Sequence, residues 1–152
     1  MMKREIEVIT TSENPNVTHR FDQKLNLISK LKVIDETSEK LFWERLKDGI
    51  LLNDYSLNID KFEQFEKFNF EGDYEKITER LNNIFKEPEQ IILSWFTSER
   101  SLLTDSASFI QNWEYFFSPS ADDLLIFNKN FNWLIYIAHY EYFYFGQGMK
   151  SH

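Results

Sequence analysis

Three short apolar runs crowd the end of the chain: Asp123 to Asn128, Asn132 to Ala138 and Tyr142 to Phe145. Asn128-Lys129-Asn130-Phe131-Asn132 supplies turn residues between the first two. Short apolar runs bounded by such residues read as strands, and short connections join neighbours in antiparallel fashion, so the pattern predicts an antiparallel meander. Its middle run, Trp133-Leu134-Ile135-Tyr136-Ile137-Ala138, is apolar at both phases of a period of two. Trp133, Ile135 and Ile137 then share one face, and Leu134, Tyr136 and Ala138 the other. That is the pattern of a strand covered on both sides. Gly146-Gln147-Gly148 and the polar tail are expected to fray.

Upstream, the pattern changes to helical spacing. Phe21, Leu25, Ile28 and Leu31 recur with it, after a break at Thr11-Ser12-Glu13-Asn14-Pro15-Asn16. A second helix is predicted over 36–48, capped by Thr37 or Ser38 and ended at Gly49. Residues 58–70 place Ile59, Phe62, Phe65 and Phe68 three apart among charges, which decides for neither helix nor strand. The best-supported helix starts at Asp73, with Tyr74, Ile77, Leu81, Ile84 and Phe85 on one face and Pro88 just beyond it. Gln90 to Phe96 reads as a buried strand, and Asp105 or Ser106 opens a short helix carrying Phe109, Ile110 and Trp113. Helices first and strands later predict an α+β fold, with N-terminal helices packed on a C-terminal antiparallel sheet.

A chain of 152 residues fits one globular domain, 1–152, and can bury a core without a staple. Its aromatic share, 17%, is high enough for a modest number of rings to fill that core. The formal charge of −8 argues against nucleic acid and against an anionic membrane surface, and suits a basic protein partner. With no cysteine there is no disulfide framework, no thiolate zinc site and no Cys nucleophile. Met1-Met2-Lys3-Arg4-Glu5 lacks the apolar stretch of a signal peptide, and no run approaches the ~20 apolar residues of a membrane span. A cytoplasmic location is the simplest expectation.

Residues 105–147 are the most distinctive. Asp105, Glu114, Asp122, Asp123 and Glu141 stand against Lys129 alone, a local balance of −4, among many rings. One reading is a sheet packed on helices with acids at its rim. The other is an acidic, aromatic-edged surface for a basic protein, with rings as anchors. The candidate partner-binding residues are Asp122, Asp123, Phe131, His139, Tyr140 and Glu141. Phe131 and Tyr140 fall in predicted turns, so their rings are expected to be partly exposed.

The string Trp113-Glu114-Tyr115-Phe116-Phe117-Ser118-Pro119-Ser120-Ala121-Asp122-Asp123, followed by Trp133 to Glu141 and Phe143-Tyr144-Phe145-Gly146, resembles a family of small bacterial proteins. More distantly it is similar to the SUKH superfamily, many of whose members are immunity proteins for bacterial toxins. The resemblance covers the last third of the chain. It implies a non-enzymatic protein that neutralises a toxin.

The alternative is a small metal-binding protein or hydrolase. Asp122, Asp123, His139 and Glu141 could bind a divalent ion or act as acid and base, and on a strand His139 and Glu141 would share a face. No Gly-x-Ser-x-Gly elbow and no Gly-rich phosphate loop occurs. No catalytic residue, bound metal or cofactor is therefore expected, and Ser118-Pro119-Ser120 with Asp122-Asp123 reads first as a turn.

Overall fold

The computed structural model describes residues 11–12, 27, 30–52, 56–96, 101–118 and 122–150. The three C-terminal apolar runs form β6 (Leu124–Phe127), β7 (Trp133–Ile137) and β8 (Tyr142–Met149), each paired antiparallel with the next. Gly146-Gln147-Gly148 belongs to β8 rather than to a frayed tail. The reason is packing. A Cβ at Gly146 would stand 2.5 Å from Phe62 Cδ1, so only glycine lets that ring lie on the strand.

The sheet is wider than the meander. Among the described residues it has eight strands, all paired antiparallel. The others are β1 (Thr11–Ser12), β2 (Lys32–Ile34), β3 (Phe62–Asn69), β4 (Gln90–Trp95) and β5 (Leu102–Asp105). Their order is β1-β2-β5-β4-β6-β7-β8-β3. Thr11-Ser12 is thus a strand partner of β2 and not part of a break. The undecided segment resolves into a short 3-10 turn, Ile59–Lys61, followed by β3. The three-residue spacing of its phenylalanines misleads because Phe62 and Phe65 pack on one face while Phe68 stacks on Phe143 of the other. The expected helix over 21–31 lies mostly outside the described residues.

Helices cover both faces. α1 (Glu36–Lys47) is capped by Asp35, whose carboxylate accepts from the Ser38 amide at 2.9 Å, rather than by Thr37 or Ser38. Gly49 just after it takes a left-handed φ of 83°. Phe42 and Leu46 of α1 join Ile34, Ile92, Leu103, Leu125, Phe127, Leu134, Tyr136 and Tyr144 in one core. α2 (Tyr74–Ile84), capped by Asp73, and α3 (Ser106–Asn112), capped by Asp105, cover the other face. There Ile77, Leu81, Phe109, Trp113 and Phe116 meet Ile91, Leu93, Leu124, Ile126, Ile135, Ile137, Phe143 and Phe145. β7 divides as its alternation requires, with Ile135 and Ile137 in one core and Leu134, Tyr136 and Ala138 in the other. The class is α+β. Among the described residues no helix is long and apolar enough to cross a membrane.

Candidate functional site

Antiparallel register builds the site. Leu124 is opposite Ile137, so the chain entering β6 at Asp123 meets the chain leaving β7 at His139. The Asp123 carboxylate accepts from the His139 backbone amide at 3.1 Å and from the Tyr136 hydroxyl at 2.6 Å. The His139 ring turns Nδ1 to the same carboxylate, at 2.9 and 3.0 Å from its two oxygens. An Nδ1 facing a carboxylate carries the proton, which leaves Nε2 as the acceptor of the neutral ring. His139 is 42% exposed and Asp123 only 13%, so the pair stands at the mouth of the cluster with the carboxylate beneath.

Tyrosines extend the cluster along the sheet. Tyr136 and Tyr144 are opposite one another on β7 and β8 and stack at 5.4 Å between centroids. The Tyr140 hydroxyl lies 2.9 Å from that of Tyr144. Burial pushes the Tyr136 phenol well above its ordinary range, and its bond to the anionic Asp123 pushes it further. The Tyr140 phenol is raised in the same way, by burial and then by Tyr144. Both therefore stay neutral hydrogen-bonding groups throughout the physiological range.

Rings continue outward on both sides. Phe96 packs on Tyr136 at 5.4 Å and Trp43 of α1 on Phe96 at 5.7 Å. Toward the sheet edge, Phe65 approaches Tyr144 and Tyr140 approaches Tyr142. Trp43, Phe96, Tyr140, Tyr142 and Phe65 are all half-buried. Cations already use these rings. Lys67 Nζ lies 5.0 Å from the Tyr142 centroid and 5.8 Å from that of Tyr144, and Lys47 Nζ 5.9 Å from that of Trp43.

Of the six residues singled out in the sequence, Asp123, His139 and Tyr140 come together. Phe131 does not, and its expected exposure is wrong. It is fully buried, stacked on Phe127 at 4.8 Å, with the Arg45 guanidinium 4.7 Å from its centroid. A left-handed φ of 56° turns the ring inward from its turn, so turn position does not imply surface position here. Asp122 is also buried, and its carboxylate accepts from the Ser118 amide at 2.7 Å. It closes the turn that begins at Ser118, while residues 119–121 lie outside the described set. Glu141 takes φ 67° in the β7–β8 connection, so the strand alternation that would align it with His139 does not apply. Its charge is felt instead by Tyr74, whose phenol is raised by burial and then by Glu141.

The four-residue acid–histidine site thus reduces to one pair, Asp123 and His139. Among the described residues no three His, Cys, Asp or Glu side chains are grouped to hold a metal ion. Sequence reasoning missed Tyr136 and Tyr144 as site residues, although their opposite positions follow once the β7–β8 register is known. Trp43, Phe96 and Lys67 come from distant segments and left no local signal. No family model, curated protein or solved structure matches this chain.

Proposed function

We propose that the protein is a non-enzymatic binding module that receives a basic segment of another protein, as an immunity protein receives a bacterial toxin. The observation that supports this reading is the row of half-buried rings beside Asp123, already occupied in part by the chain's own Lys67 and Lys47. Aromatic faces next to a carboxylate suit Lys and Arg side chains, through cation–π contact and charge pairing together. The formal charge of −8 would draw such a partner in, and a cytoplasmic site of action belongs to the same reading. On this reading the binding residues are Asp123, His139 and Tyr140, joined by Trp43, Phe96 and Tyr142.

The experiment is co-purification with the product of the adjacent gene, followed by association kinetics over a salt series. The association rate is expected to fall several-fold between about 50 and 500 mM salt. Asp123→Asn should lower it further, and Tyr140→Ala should speed dissociation. An acidic partner, or binding indifferent to salt and to Asp123→Asn, overturns the reading.

A further inference from the structure

β3 is the last strand of the sheet, eight residues long, and among the described residues no strand lies on its outer side. The hydrogen-bond pattern says which of its backbone groups face out. Ala138 N donates to Tyr142 O, which directs Tyr142 and every second residue of β8 toward β7. Phe70 N donates to Glu141 O, in step with β3 residues 64, 66 and 68 binding the alternate β8 positions. The amides and carbonyls of Phe65, Lys67 and Asn69 therefore point away from the sheet. An edge of this length is a template for another strand.

The side chains of the edge are self-complementary in one register. Glu63 and Lys67 flank Phe65 symmetrically, two residues to either side, and both are exposed. An antiparallel two-fold pairing centred on Phe65 sets Glu63 of each copy opposite Lys67 of the other. It sets Phe65 opposite Phe65 and Gln64 opposite Glu66, whose carboxylate is already held by Arg80 at 2.6 and 2.8 Å. The outward-facing groups of Phe65 are those that exchange both bonds in such a pair. Shifting the centre to any other residue of 63–67 destroys the match. Centred on Glu63, Glu66 or Lys67, identical charges meet on the axis. Centred on Gln64, Lys61 meets Lys67.

We propose that a second copy of this chain pairs along the outer edge of β3 in the register centred on Phe65. Phe65 and Lys67 of this edge also border the tyrosine row, but the pairing rests on the strand's outer backbone groups and register and is tested without any basic partner. Two chains of charge −8 repel at long range, and one strand pair buries little area, so the dimer belongs to the weak, transient class. Isologous pairing lets each stabilising contact occur twice.

The test is sedimentation equilibrium from about 10 µM to about 1 mM at physiological ionic strength, where local pairs outlast the screened net repulsion. Glu63→Lys places Lys opposite Lys67 twice and should weaken dimerisation at least tenfold. Lys67→Glu should do likewise. The combined Glu63→Lys, Lys67→Glu variant should restore the wild-type constant. Because Lys67 also rests on Tyr142 and Tyr144, the exposed Glu63 gives the cleaner single change. Amide exchange supplies a second readout, since the Phe65 and Lys67 amides should slow as concentration rises. A chain monomeric to the top of the range overturns the proposal. So does a dimer that the double reversal fails to restore, or concentration-independent exchange at those two amides.

Discussion

Under α2 and α3, the sheet presents Ile91, Leu93, Leu124, Ile126, Ile135 and Ile137 to Phe109, Trp113 and Phe116. The polar atoms placed there include two indole N–H groups with immediate acceptors. Trp95 Nε1 donates to Phe116 O, and Trp113 Nε1 to Thr78 Oγ1, both at 2.9 Å. Under α1 the opposite face starts equally apolar, with Ile34, Phe42, Leu46 and Ile92. Toward β8 it gives way to Tyr136 and Tyr144, tied to Asp123, His139 and Tyr140. The first face is filled mainly by apolar side chains, with the Arg80–Glu66 pair lying over Phe145 at its margin, so its interior contacts respond to volume. The second holds a carboxylate and three phenols at its margin, so its contacts respond to hydrogen bonding and charge as well. What sets the second margin apart is that its carboxylate, histidine and phenols are joined in one connected cluster, which is why the candidate site belongs to the second face.

The sharpest way to separate the faces is a cavity in the first. Phe143 is fully buried on that side and stacks on Phe68 at 5.0 Å. Phe143→Ala should destabilise the fold by about 3–5 kcal/mol, measured by chemical denaturation. A cost under about 1 kcal/mol would mean that the face is loosely packed, and the contrast with the tyrosine side would fail.

On the second face the corresponding change removes one oxygen. Tyr136→Phe keeps the ring stack and deletes the hydroxyl that donates to Asp123. A hydrogen bond to a charged group sets the expected cost at about 1.5–3 kcal/mol at neutral pH. The pH dependence follows in sign from the raised phenol. The neutral form is the one the fold favours, so its contribution is complete below the ordinary value of 10.0 and is lost as pH rises beyond it. The wild type should therefore weaken above about pH 10, and part of that loss should vanish in Tyr136→Phe. Tyr74, across the sheet, is raised too, so Tyr74→Phe measured beside it shows how much of the alkaline loss belongs to each face. Equal stability of wild type and Tyr136→Phe at neutral pH would remove the argument that the hydroxyl anchors the cluster.

How much of this was legible depended on sequence distance. The meander, the split of β7 into two faces and the capped helix at Asp73 are local periodicities, and each carries its own signal in Trp133–Ala138 or Asp73–Phe85. β3 was not legible because its apolar positions serve two faces and its partner, β8, is reached only from the far end of the chain. The site shows the same limit. Asp123 and His139 stand out in the sequence as a carboxylate and a histidine able to bind a metal or act as acid and base, yet what joins them is the β6–β7 register. Asp122 and Phe131 look like surface residues for their residue type and turn position. A turn-closing hydrogen bond at Asp122 and a left-handed backbone at Phe131 send both inward.

The smallest expected effect falls at the rim of the apolar face, where α3 begins. Asp105 caps this helix with both oxygens, accepting from the Ser108 amide and hydroxyl at 2.7 Å each. Burial works against the charge of this carboxylate. The bonds from Ser108 and from its own amide, with Lys30 nearby, outweigh it and hold the group below its ordinary 3.8. A depressed carboxylate contributes its stability above the unfolded value and loses it as pH falls through the folded one. Asp105→Asn retains a capping oxygen but not the charge, so its deficit at pH 7 should be about 1 kcal/mol or less. That deficit should shrink below about pH 4, as the wild-type carboxylate takes up its proton. Denaturation of both proteins from pH 7 to pH 3 measures it. If the deficit stays constant across that range, the carboxylate's charge adds nothing to the cap. The apolar face would then be insensitive to acid even at its rim, and the difference between the two faces would be wider still.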